Sequence, residues 1–222
     1  DDTEEGRNGL PRIIYVLYIE QQPFADCLNA MRTLAEKAPR DATHVTVCGP
    51  FTEELPKDQI EDLNRRIRGQ SLVISGVNTF WSAHQNTVYL EVEGDALYKI
   101  GRRTDFPDYI PHITIYNGDK RKWVCKILCA LKEYPFSFRV TIGSLRPIIT
   151  GIDQANGHGN GNGKKNGNGN GNGYKRVITD FSPQFMKKIT RHEFTPEEIR
   201  NFDPATRLAR MRKIVQYLST RI

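Results

Sequence analysis

His44-Val45-Thr46-Val47 and His112-Ile113-Thr114-Ile115 are two copies of one phrase, in which His, an apolar residue, Thr and a second apolar residue follow one another. Side chains in a β-strand point alternately to opposite faces, so each phrase predicts a strand with His and Thr on one face and Val or Ile on the other. The chain holds only five histidines, and two of them open this phrase.

Working outward, RIIYVLYIE at 12–20 reads as a central strand, and residues 23–38 carry Phe24, Cys27, Leu28, Met31, Leu34 and Ala35 at helical spacing before Pro39. The first phrase lies in a strand at 43–51. A helix is expected at 57–68, with Ile60, Leu63 and Ile67 inward and Gly69 after its end. Strands at 71–77 and 87–92 flank a hairpin connection, and residues 94–109 read mainly as a loop leading into the second phrase. Residues 119–134 predict a helix capped by Asp119, followed by a strand from Phe136 that continues beyond Gly143 to Thr150. Residues 156–173 are an Asn/Gly-rich low-complexity excursion that cannot build a core. Strand-like residues resume at 174–181.

Residues 182–222 predict a basic helical extension. Thr195-Pro196-Glu197-Glu198 and Asp203-Pro204 are helix starts, and Leu208, Met211, Val215 and Leu218 form an apolar stripe with Arg207, Arg210, Arg212 and Lys213 largely off it. This segment carries nine Lys/Arg against four Asp/Glu, so residues 1–181 are nearly neutral although the whole chain is +6. The charge therefore belongs to the C-terminal helices, as a solvated face or as a surface for RNA or a protein partner. No apolar run reaches the roughly 20 residues needed to cross a bilayer. Four scattered cysteines without CxxC spacing favour a reducing compartment, so a cytoplasmic protein is expected.

Two facing imidazoles can divide acid and base work, because an ordinary histidine pKa near ~6.5 leaves both forms populated at neutral pH. A threonine hydroxyl two residues away on the same face can donate to a phosphoryl oxygen as charge develops. The i−2 and i+2 neighbours of the two histidines are Ala42, Thr46, Ile110 and Thr114, none a carboxylate. No metal site or cofactor is expected, and His158 amid Asn and Gly has no ligand set around it.

The paired HVTV and HITI, 68 residues apart, with SLVISGVNTF and NTVYLEV between them, resemble the 2H phosphoesterase superfamily over residues 12–181. That superfamily includes the 2′,5′-RNA ligase-like proteins and the cyclic phosphodiesterases. The resemblance implies a bilobal pseudo-twofold α+β fold over 10–181, with antiparallel sheets lining a central cleft, outer helices, and a C-terminal helical extension at 182–222. It implies His44 and His112 as the acid/base pair, with His44 protonating the leaving oxygen and His112 activating water. Thr46 and Thr114 become the phosphate ligands. The implied reaction opens a 2′,3′-cyclic phosphate to a 2′-phosphate, or cleaves a related 2′,5′ phosphodiester, on RNA or a nucleotide.

Flanking residues add candidates for substrate binding. Tyr116 continues the reactive face by alternation, Phe51 and Tyr109 could stack on a base, and Arg102 and Arg103 could hold phosphate. Cys48 shares the His44 face by the same alternation and reads as a packed residue rather than a nucleophile. Two other function classes stay open: a non-catalytic RNA-binding module that uses the cleft, and an interaction protein working through the basic C-terminal helix.

Overall fold

Seven segments of alternating or continuous apolar character join into one antiparallel sheet in the computed structural model, which describes residues 11–36, 42–83, 85–100, 108–150 and 201–221. In chain order the elements are β1 (Arg12–Tyr18), α1 (Phe24–Glu36), β2 (His44–Phe51), α2 (Lys57–Ile67), β3 (Ser71–Phe80), β4 (Asn86–Glu93) and α3 (Asp95–Ile100). They continue with β5 (His112–Gly118), α4 (Arg121–Leu131), β6 (Ser137–Thr141), β7 (Leu145–Thr150) and α5 (Pro204–Ser219). The sheet order is β6-β3-β4-β5-β2-β1-β7. The two motif strands are therefore central neighbours, each with a strand that pairs extensively on its outer side.

The sheet cannot be flat. Strands β6 and β7 lie at opposite edges, and six inter-strand steps would separate them by about 29 Å in a planar sheet. Only residues 142–144 connect them, and four residue steps span at most ~14 Å. The sheet must therefore curl until the end of β6 and the start of β7 lie within reach of that short connection. The registered pairing between β2 and β5 is a single pair, Val45 with Ile113.

One face of the sheet is apolar and covered. Val45, Val47, Leu72, Ile74, Leu90, Ile113 and Val140 are sealed there, and α1 adds Leu28, Met31 and Leu34. Each large aliphatic side chain removed from water contributes roughly 1.5–3 kcal/mol. Helix α1 packs on β5, α4 on β4, and α2 and α3 on β7 and β2. Helix α5 starts at Asp203, whose carboxylate accepts from the Thr206 amide at 2.8 Å, with Pro204 in the first turn. Its Leu208, Met211, Ile214, Val215 and Leu218 are buried, and it packs against α1 and α4. No described helix is long and apolar enough to cross a membrane.

The structure corrects several local expectations. The segment 136–150 forms two strands on opposite edges, because Thr141 and Leu145 pair with Ser71 of β3 and Leu17 of β1 respectively. Residues 95–100 are helical, with the Leu97 amide donating to the Gly94 carbonyl. The N-cap of α4 is Lys120, with no side-chain cap, so Asp119 does not play that part. Arg207 is 2 % exposed, although the helical pattern puts it off the apolar stripe. The Asn/Gly-rich excursion 156–173, the strand at 174–181, the helix start at Thr195 and the border at 181/182 lie outside the described residues.

Gly49 lies within β2, near its end, at φ +106°, where a Cβ would meet the Ile13 carbonyl oxygen at 2.6 Å. The next contact is the Ile14 Cα at 3.1 Å, so it is the backbone of β1 that would have to move. Gly49→Ala should therefore destabilise the fold by about 1–3 kcal/mol, read as a lower urea midpoint with an unchanged m-value.

Candidate active site

Pairing Val45 with Ile113 in antiparallel strands sets His44 opposite Thr114 and His112 opposite Thr46. All four side chains share the face turned away from Val45 and Ile113, both of which are fully buried. The result is a square in which each motif's histidine faces the other motif's threonine. All four corners are half-buried, neither sealed in the core nor projecting freely. The histidines are diagonal neighbours, a relation that separates residues by about 7–8 Å. A tetrahedral group fits between two rings so placed.

Immediately after each threonine the strand carries a bulge. In β2, Val16 pairs with Thr46 but Tyr15 pairs with Cys48, which leaves Val47 as the extra residue. In β5, Tyr89 pairs with Thr114 but Val88 pairs with Tyr116, which leaves Ile115 extra. The two motifs thus share a backbone irregularity as well as a sequence. A bulge re-aims the side chains beyond it, and bulges gather beside active sites.

That re-aiming overturns two expectations from simple alternation. Cys48 joins Tyr15 on the buried face, is 5 % exposed, and has its thiol pushed up to about 11 by burial, which removes it as a nucleophile near neutral pH. Tyr116 pairs with buried Val88 and is turned from the reactive face into the core, where it still borders the cavity that His44 also lines. Burial is also the main cause that raises its phenol pKa.

The rings are held alike. Nδ1 of His44 lies 2.8 Å from the Ala42 carbonyl, and Nδ1 of His112 lies 2.8 Å from the Ile110 carbonyl. A carbonyl oxygen only accepts, so each Nδ1 carries the hydrogen. The neutral tautomer this fixes bears its lone pair on Nε2, and protonation converts that same atom into a donor. Either histidine can therefore act as base or acid through one atom without turning its ring.

Aromatic residues frame both rings. Tyr18 meets His44 edge-on at 5.8 Å. Phe80 and Tyr89, stacked on each other at 4.2 Å, both come within 5.2 Å of His112. The sequence does not single out these three, since nothing in a strand's own pattern tells which neighbouring strand will flank the motif. The one available signal is the Phe80-Trp81 pair at a hairpin end, where two large apolar side chains remain exposed.

The other sequence candidates divide. Tyr109 donates its hydroxyl to the Thr46 carbonyl at 2.8 Å, so it braces the backbone of the first motif. Phe51 sits at the far end of β2 against buried Tyr15, seven residues from His44 and away from the square. Arg102 and Arg103 lie outside the described residues. A cavity of about 1300 Å³ is lined by His44, Asn117, Lys120, Arg121 and Lys122 among others, while Thr46, His112 and Thr114 are not part of its wall. The cavity thus adjoins the square at one corner.

A family model described as the 2'-5' RNA ligase superfamily matches residues 20–149, over half of the 222 residues. The matched span contains both motif strands and stops short of α5. No curated protein matches the chain.

Proposed function

The chain belongs to the 2'-5' RNA ligase superfamily, and from that premise we propose that it is a phosphodiesterase acting at the square formed by His44, Thr46, His112 and Thr114. The substrate group is a 2′,3′-cyclic phosphate on an RNA end or a nucleotide, or a related 2′,5′ phosphodiester. One imidazole Nε2 takes a proton from water as its oxygen bonds to phosphorus. The bond from phosphorus to the 3′ oxygen breaks, and the other imidazolium gives that oxygen its proton. The product is a 2′-phosphate beside a free 3′-hydroxyl. In the assignment carried from the resemblance, His112 is the base and His44 the acid.

The observation that carries this reading is the matched anchoring of both rings, with each Nδ1 on the carbonyl two residues back. Each turnover leaves the base protonated and the acid neutral, so both rings must exchange a proton with solvent before the next, and a hydrogen fixed on Nδ1 lets each do so through Nε2. The threonine hydroxyls would donate to the non-bridging oxygens, where negative charge grows as phosphorus gains its fifth bond.

The direct test is incubation with a 2′,3′-cyclic nucleotide and with a 2′,5′-linked dinucleotide in the presence of EDTA, followed by ³¹P NMR of the products. A 2′-phosphate formed at the same rate with and without chelator is the expected result. Absence of turnover on both compounds, with RNA binding retained, would replace the enzyme by a binding module. Thr46→Val and Thr114→Val should each lower kcat about 10- to 100-fold, the loss of one hydrogen bond to a charged oxygen. Their KM values should move far less, because that hydrogen bond strengthens mainly as charge develops.

A further inference from the structure

The seam between the two motif strands is short. Val45 of β2 and Ile113 of β5 form its single registered pair, and continuing the antiparallel register would set Thr46 against His112 and Val47 against Pro111. Pro111 has no N–H to donate, so the ladder cannot run on past the start of the second motif. Val47 is also the extra residue of the β2 bulge, and a bulge leaves that residue out of the ladder. The peptide that joins Thr46 to Val47 thus lies where pairing across the seam gives out.

Its carbonyl finds a donor in a side chain instead. The Tyr109 hydroxyl reaches the Thr46 carbonyl at 2.8 Å, from a position three residues before His112. The Tyr109 ring is half-buried against the core and meets Tyr98 edge-on at 6.5 Å, so the hydroxyl is presented from an anchored base. A phenol has only two side-chain torsions, which keeps the entropic cost of holding it there small. In the second motif the Thr114 carbonyl accepts from no side chain among the described residues, so this tie belongs to the first motif.

We propose that Tyr109 is a positioning residue for Thr46. Its hydroxyl fixes the peptide that follows the threonine, and with it the direction from which the Thr46 hydroxyl meets a phosphoryl oxygen. The proposal rests on the phosphodiesterase reading and adds to it a residue that acts through another. The tie runs from the segment leading into the second motif to the backbone of the first. It therefore holds the two halves of the square at a set separation where a single strand pair is the other link.

Tyr109→Phe keeps the ring and removes the donor. On a 2′,3′-cyclic nucleotide it should lower kcat about 5- to 50-fold with KM nearly unchanged, since a displacement of around 1 Å near the reacting atoms costs up to about 10²-fold. The same substitution is then made in two backgrounds. Added to Thr46→Val it should cost less than about 2-fold further, because the hydroxyl it positions is already gone. Added to Thr114→Val it should cost its full factor. A general loss of packing would cost the same in both backgrounds, so equal factors overturn the proposal, as does a Tyr109→Phe enzyme of full rate. If the unaltered protein turns over no cyclic phosphate, the reaction reading has failed, and NMR of protein carrying ¹³C-labelled threonine decides the tie alone. The Thr46 carbonyl and methyl signals should then move in Tyr109→Phe while those of Thr114 stay; movement of both alike, or of neither, overturns it.

Discussion

His44→Ala and His112→Ala should each reduce kcat on a 2′,3′-cyclic phosphate by about 10²–10⁴-fold, the usual loss when a positioned proton-transfer group is removed. KM should change little, since a proton-transfer group acts mainly in the transition state. The double variant should be scarcely slower than either single one. Base and acid work in one transition state, and removing the first leaves the second with nothing to complement. Wild-type kcat/KM should trace a bell against pH, because one imidazole must be neutral while the other is charged. Each single variant should lose one limb of that bell. A His44→Ala enzyme with full rate, or with an unchanged two-limbed profile, is incompatible with the mechanism.

The pattern of hydrogen bonds around the rings sharpens this expectation. Ala42 and Ile110 hold the two Nδ1 atoms through backbone carbonyls, which no side-chain substitution removes. His→Asn variants therefore test the reacting atom rather than the anchor. Asparagine can still donate to the carbonyl two residues back but cannot shuttle a proton near neutral pH. Its rates should match those of alanine, while its melting temperature stays closer to wild type.

The second large effect concerns stability and comes from Arg207. Its Nε donates to the Phe202 carbonyl at 3.1 Å, and its guanidinium also donates to the carbonyls of Thr33 (3.3 Å) and Leu34 near the end of α1. Trp123 Nε1 reaches the Ala35 carbonyl beside them at 3.0 Å. The last carbonyls of a helix have no partner within it and carry the negative end of its dipole. Helices α4 and α5 thus complete α1 with a cation and an indole N–H. Burial pulls the Arg207 pKa down, yet a guanidinium keeps its charge there.

Arg207→Met retains the bulk and removes every donor, so three backbone carbonyls lose a charged partner in a dry setting. The loss should be about 3–5 kcal/mol, a large part of the 5–15 kcal/mol that usually separates folded from unfolded chains. For a chain of this size that lowers Tm by about 6–20 °C. Arg207→Lys should recover only a fraction, because an ammonium cannot reach several carbonyls as a planar fork does. Urea denaturation reads both variants, and an unchanged midpoint in Arg207→Met would remove the role assigned to it. Because α1 packs on β5, the same variant should lower activity through misplacement of the second motif, in parallel with its stability.

What the sequence determined by itself is what depends on local periodicity. Alternation in His44-Val45-Thr46 and His112-Ile113-Thr114 assigned each side chain to a face. The 3.6-residue spacing of Leu28, Met31 and Leu34, and of Leu208, Met211, Val215 and Leu218, assigned helices and their buried stripes. Only the tertiary structure decided how those elements meet. The register of Val45 with Ile113 brings two motifs 68 residues apart into one square. The bulges at Val47 and Ile115 send Cys48 and Tyr116 to the buried side. Phe80 and Tyr89 flank His112 from neighbouring strands, and Arg207 is buried because α1 ends beneath it. Each of these depends on a partner strand or helix distant along the chain. Side-chain direction is a property of the local backbone, whereas register, bulging and the burial of a charge are set by the free energy of two surfaces brought together.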